Sequence, residues 1–176
     1  MKGAGSILVS NSASADTMTV TVCCPSNTAT GTAQASAGQG ATLRFADGAN
    51  WAGTVVANGC AELFGEGAPS VATFGAIRFA GTFPLRVWKD GSGAVRGDRV
   101  SLGSVTTGTG AFVVVPQGGA EFAAGDGYDF GTYPAGVNLP PVRKPWFFES
   151  TPCGDDGSLV TLRLVCRPHG IMLIIR

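Results

Sequence analysis

The stretch Gly40-Ala41-Thr42-Leu43-Arg44-Phe45-Ala46-Asp47-Gly48, followed by Trp51-Ala52-Gly53-Thr54-Val55-Val56-Ala57-Asn58-Gly59-Cys60-Ala61-Glu62-Leu63-Phe64-Gly65, decides how this chain is read. Leu43 and Phe45 alternate with Thr42 and Arg44, which puts the apolar side chains on one face of an extended strand. Each run then stops at Asp-Gly or Asn-Gly, where a positive φ costs little and the chain can turn. No run lasts the roughly 10 to 12 residues that an amphipathic helix needs.

The same grammar continues through Gly53 to Ala57, Ala61 to Gly65, Ala76 to Ala80, Pro84 to Trp88, Arg99 to Gly103, Ala111 to Val115, Ala120 to Ala124 and Tyr128 to Tyr133. The side chains expected to point inward are Leu43, Phe45, Val55, Leu63, Ile77, Phe79, Leu85, Val87, Val100, Leu102, Phe112, Val114, Phe122 and Phe130. Comparable runs return after about 20 to 23 residues, Leu43 to Leu63 to Leu85 and Val55 to Ile77 to Val100, a period typical of solenoids. A rung cannot bury its own apolar face, but stacked rungs make a continuous core. The fold class expected is therefore all-β, a parallel β-solenoid resembling a β-helix. A β-sandwich or jelly roll, whose strands recur every 8 to 12 residues or so, is the alternative.

Three regions follow. Residues 1–40 hold a strand at Thr17 to Cys23, with Met18, Val20 and Val22 on one face, and then a Ser/Thr/Gly-rich linker from Pro25 to Gly40. Residues 41–137 form the solenoid body. Residues 138–176 form a C-terminal cap, an antiparallel hairpin in which Val160, Leu162, Leu164 and Cys166 alternate with polar residues and Ile171 to Ile175 returns as a second strand.

The pieces Gly53-Thr54-Val55-Val56, Asn58-Gly59 and Ala61-Glu62-Leu63, with Gly118-Gly119-Ala120-Glu121-Phe122 as a second copy, resemble the repeats of bacterial autotransporter passenger domains and autotransporter-associated β-strand repeat proteins. The resemblance covers about half the chain. It implies a right-handed parallel β-helix displayed outside the cell as a stalk, an adhesin or occasionally an enzyme.

Composition agrees with an exported β-protein. Charged residues are 14% of the 176 and glycine contributes 27, against a usual charged share of roughly 25%. The formal net charge is zero and no Lys/Arg run occurs, so the basic footprint required for nucleic acid is missing. A near-neutral surface leaves homotypic association unopposed, whether as an oligomer or a filament. No stretch approaches the roughly 18 to 20 apolar residues of a membrane span. Met1 to Ser10 lacks the layout of a signal peptide, so the chain reads as a mature or excised piece of an extracellular or cell-surface protein.

Candidate chemistry is sparse. Cys23, Cys24, Cys60, Cys153 and Cys166 form no Cys-x-x-Cys pair, and His169 is the sole histidine, so no zinc quartet and no cofactor site is expected. Cys153 and Cys166, flanking one strand, are the disulfide candidate; the odd count leaves at least one free thiol. His169 reads as a turn residue. Acid pairs that glycosidases or β-helical lyases require are Glu62 with Glu66, Asp126 with Asp129, and Asp155 with Asp156; all sit in glycine-rich turns where they cap backbone amides. Asp126 and Asp129 are also the weak calcium candidates, although no EF-hand loop surrounds them. Trp51, Trp88, Tyr128 and Tyr133, with Trp146, are the candidates for a platform that stacks sugar rings. The function expected is a non-catalytic structural or adhesive module that self-assembles. A carbohydrate-binding module is the alternative and a polysaccharide-cleaving enzyme the third reading.

Overall fold

The computed structural model describes residues 2–3, 5–10, 17–25, 28–36, 40–106, 108–136, 138–153 and 157–167. Every regular element among them is a strand: β1 (Lys2–Gly3), β2 (Ile7–Val9), β3 (Met18–Val22), β4 (Thr28–Ala29), β5 (Thr32–Ala35), β6 (Ala41–Ala46), β7 (Ala49–Ala57), β8 (Ala61–Phe64), β9 (Val71–Phe79), β10 (Thr82–Lys89), β11 (Val95–Gly97), β12 (Arg99–Thr106), β13 (Ala111–Pro116), β14 (Gly127–Pro134), β15 (Trp146–Cys153) and β16 (Leu159–Cys166). The protein is all-β, as the turn-punctuated alternation requires.

The strands form several small sheets. A five-stranded sheet runs β12-β9-β7-β5-β2, and a three-stranded sheet runs β3-β6-β8. Both are parallel throughout. β10 pairs in parallel with β13 and antiparallel with β11. β14, β16 and β15 make an antiparallel sheet with β16 at its centre. Sequence neighbours such as β6 and β7 therefore belong to different sheets, and each parallel partner lies one excursion further along the chain.

The register differs from the spacing read off the sequence. Leu63 pairs with Phe45, not Leu43, whose partners are Ala61 and Val20. Ile77 pairs with Val55 as expected, but on its other side with Val105 rather than Val100. A two-residue offset keeps every side chain on the same face, so periodicity alone cannot detect it. The β11 excursion, Asp90 to Gly97, lengthens the last interval and carries the match from Val100 to Val105.

Glycines mark one corner of these excursions. A Cβ at Gly31 would overlap the Gly5 carbonyl, one at Gly53 the Gly31 carbonyl, one at Gly75 the Ala52 carbonyl, and one at Gly103 the Gly75 carbonyl. The backbones approach too closely for any side chain, which explains why glycine recurs there independently of turn chemistry.

The core is a row of aromatic rings. Phe45 meets Phe74 at 4.7 Å between centroids, Phe74 meets Phe83 at 6.1 Å and Phe83 meets Phe112 at 5.8 Å. Phe112 also meets Phe79, Phe130 and Phe148. Of the fourteen side chains expected to point inward, Val114 and Phe122 are half-buried against this core and the others are buried.

Three local expectations are corrected. The Pro25 to Gly40 stretch was expected to be a linker, yet Thr32–Ala35 is a strand of the five-stranded sheet and Ala33 and Ala35 are fully buried. A strand with neighbours along its edges shares their core, so methyl-sized side chains suffice there. Ala120 to Ala124 is not a strand; it is held by turn bonds such as Ala120 N–H to Gln117 O. Tyr128 to Tyr133 belongs to the antiparallel sheet rather than the parallel body. β16, expected to pair in a hairpin with Ile171–Ile175, is paired along its edges by β14 and β15. Residues 171–175 themselves lie outside the described residues.

Candidate functional site

The strongest polar constellation surrounds Asp98, which is fully buried between β11 and β12. Its Oδ1 accepts the Ser70 N–H and Arg86 Nη2, and its Oδ2 accepts the Arg86 backbone N–H and Arg86 Nε, all at 2.9 Å. Arg86 also donates Nη1 to the Gly65 carbonyl and Nη2 to Ser70 Oγ. This two-pronged ion pair ties the β8–β9 connection, β10 and the β11–β12 corner together. Each carboxylate oxygen is satisfied by two donors, the arrangement by which a buried charge is made structural.

The tyrosines expected to bind sugar complete this framework. Tyr128 donates its hydroxyl to the Asp98 carbonyl at 2.7 Å, and Tyr133 donates to the Val100 carbonyl at 3.0 Å. Arg99 N–H faces β9, where it bonds the Ser70 carbonyl, so the alternating Val100 carbonyl faces away from the sheet. Tyr133 thus satisfies an acceptor on the outer edge of β12, and β14 covers that edge. Burial pushes both phenols well above their ordinary pKa, with the Asp98 charge adding to the effect at Tyr128. Trp51 is fully buried, with its indole N–H on the Gly31 carbonyl. Only Trp88 of the four is half-exposed, beneath the Arg86 guanidinium at 5.3 Å. The proposed sugar platform is therefore not assembled, because the burial that large rings gain outweighs exposure at these positions.

The acidic candidates are dispersed among ion pairs and turns. Asp126 accepts Lys89 Nζ and the Ala123 N–H, both at 2.8 Å, and these contacts hold its carboxyl below the usual range. Asp129 is exposed and stands opposite Arg163 in the ladder. Glu62 pairs with Arg44 at 2.6 Å across adjacent parallel strands. Among the described residues no three His, Cys, Asp or Glu side chains converge as metal ligands. Asp155, Asp156 and His169 lie outside the described residues.

The Cys153–Cys166 bridge is excluded by register. Cys153 stands opposite Leu159 and Cys166 opposite Trp146, at the two ends of the β15–β16 ladder. At about 3.3 Å per residue they are roughly 20 Å apart, far beyond the approximately 7 Å Cα separation a disulfide tolerates. All five cysteines are free, and burial raises the Cys166 thiol.

A concave site, a cavity of about 390 Å³, lies between β13 and the turn that leads into β15. Its wall on one side is Val113, Val114 and Pro116, and on the other Arg143, Lys144 and Trp146. Phe122 meets Trp146 edge-to-face at 5.1 Å and forms the floor with Cys166. Such a volume lies within the range of roughly 300 to 1,000 Å³ typical of ligand sites. Sequence reading passed over Arg143 and Lys144. The available signal was a basic pair set among prolines immediately before Trp146-Phe147-Phe148. Comparison with protein-family models, with curated proteins and with solved structures found no match to this chain.

Proposed function

We propose that this chain is a non-catalytic structural module of an extracellular or cell-surface protein, a short β-solenoid that associates with a second copy through its first rung. The observation that carries the reading is the parallel ladder β2-β5-β7-β9-β12, in which each strand is joined to the next through a strand of another sheet. Stacked glycines at the corner and the continuous aromatic row support successive rungs that share one core. The low charge and hydroxyl-rich surface support display outside the cell.

The two ends differ. At β12 the sheet edge is covered by β14 and its tyrosines. At β2, among the described residues, pairing exists only with β5, and at β3 only with β6. Leu8 and Met18 on these strands are 65% and 43% exposed. An uncovered parallel edge invites strand addition. With the far end covered, two copies meeting edge to edge close into a symmetric dimer rather than a filament.

Ladder geometry supplies the test. Ser36 N–H bonds the Val9 carbonyl and Met18 N–H bonds the Gly40 carbonyl; by alternation, the backbone groups of Leu8 and Thr21 point to the open side. Leu8→Pro with Thr21→Pro removes outward donors and no inner bond. Sedimentation at rising concentration is expected to show a dimer for the parent chain and a monomer for the variant, with the circular dichroism spectrum unchanged. A parent chain that stays monomeric, or a variant that dimerises equally well, overturns the association. Surface labelling of producing cells tests the location.

A further inference from the structure

We infer that the cavity beside β13 is a docking groove for an extended acidic peptide segment of another protein, which adds as a strand to the outer edge of β13. This goes beyond the self-association proposed above and uses a different edge. β13 pairs with β10 on one side only. On the other side a single parallel bridge joins Phe112 to Val142: the Phe112 N–H donates to the Pro141 carbonyl at 2.8 Å, and the Arg143 N–H donates to the Phe112 carbonyl at 2.9 Å. A strand has thus begun to form there and then stops. The Trp146 N–H bonds back to the Arg143 carbonyl, so the chain turns at Lys144 and Pro145 and leaves the edge.

The next backbone groups on that edge are those of Val114. Ala111 and Gln117 direct their N–H groups to the Gly81 and Val87 carbonyls of the β10 side. The unbroken register from Ala111 to Pro116 puts Val114, like Phe112, on the opposite side. Among the described residues the Val114 N–H and C=O have no backbone partner, and Val114 lines the cavity. A half-buried strand edge with unpaired amide groups is what strand-adding peptides recognise, the amides supplying affinity and neighbouring pockets supplying selectivity.

Charge decides the class of peptide. Arg143 and Lys144 line the groove, are exposed, and take part in none of the ion pairs formed among the described residues. Among the described residues no acidic side chain lines the cavity. Two cations outside those ion pairs, beside the apolar rings of Phe122 and Trp146, fit a segment that alternates a carboxylate facing the cations with an aliphatic residue facing the rings.

The experiment titrates the full chain into a fluorescein-labelled, end-blocked hexapeptide of alternating valine and aspartate, read by anisotropy. An alternating valine–lysine hexapeptide and a labelled uronic-acid oligosaccharide serve as comparisons. Saturable binding of the acidic peptide alone is expected, weakened about tenfold or more in Arg143→Glu/Lys144→Glu and in Val114→Pro. The first variant changes only exposed rim residues, so it remains informative if Val114→Pro fails to fold. The assignment is overturned by absence of saturable binding, by equal binding of the basic peptide, by indifference to the charge reversal, or by a folded Val114→Pro that binds as the parent does. Binding of the oligosaccharide in preference to the peptide also overturns it and assigns the groove to acidic glycans.

Discussion

Replacing Asp98 by alanine removes the acceptor for four donors at once, and the expected loss is large because the charge left behind cannot reach water freely. The Asp98 side chain is fully buried and that of Arg86 is 19% exposed. Breaking a buried pair from one side costs roughly 3 to 5 kcal/mol, since the remaining partner is stranded. The Ser70 and Arg86 backbone N–H groups lose their acceptor in the same step. For a chain of this length each kcal/mol moves the melting midpoint by about 2 to 4 °C, so the expected drop is roughly 6 to 20 °C. Glu62→Ala provides the comparison: the Arg44–Glu62 pair is about one-third exposed on both sides, and its loss is expected to cost at most about 1 kcal/mol. Urea denaturation followed by far-ultraviolet circular dichroism measures both. Arg86→Met alone and combined with Asp98→Ala completes the cycle; the double variant should cost less than the sum of the singles because it leaves no lone buried ion. If Asp98→Ala is no worse than Glu62→Ala, the argument that this carboxylate holds three segments together is wrong.

Two further expectations rest on packing and on charge. Gly75→Ala drives a methyl group into the Ala52 carbonyl, backbone that cannot swing aside, and is expected to cost about 1 to 3 kcal/mol or more. Gly91→Ala, with open space around its Cβ, should stay within about 0.5 kcal/mol of the parent in the same denaturation assay. The Asp126 pKa is lowered from 3.8, chiefly by the hydrogen bond from Lys89. A depressed carboxylate contributes stability that is fully present above its unfolded value and is lost as pH falls through the folded value. The Lys89–Asp126 tether between β10 and the turn before β14 should therefore hold at neutral pH and weaken below about pH 4. Protection of the Ala123 amide relative to its intrinsic exchange rate, since the carboxylate also accepts that N–H, should fall over that window in the parent chain. In Asp126→Ala, which removes the acceptor, protection should be low at every pH; a parent chain with no such acid-dependent step contradicts the assignment.

The all-β character and the inward-facing side chains were legible from the residues alone. Alternation over short runs sets both, since successive residues of an extended chain point to opposite faces whatever their partners. The turns were legible as well, because Asp47-Gly48 and Asn58-Gly59 permit backbone angles that other residues avoid. Tertiary structure alone decided the pairings. Leu63 could match Leu43 or Phe45 with the same face buried, and only the register of neighbouring strands selects Phe45. The quiet segment Thr32–Ala35 became a strand because its neighbours supply the apolar area that its alanines lack. Aromatic residues were legible as aromatic but not as buried: Tyr128 and Tyr133 close the β12 edge because each hydroxyl meets a carbonyl thirty or more residues away. Arg143 and Lys144 became a candidate site for the same reason. Their meaning depends on Val114, distant in sequence, whose unpaired edge exists only once β13 has paired with β10 and the chain has turned away at Pro145.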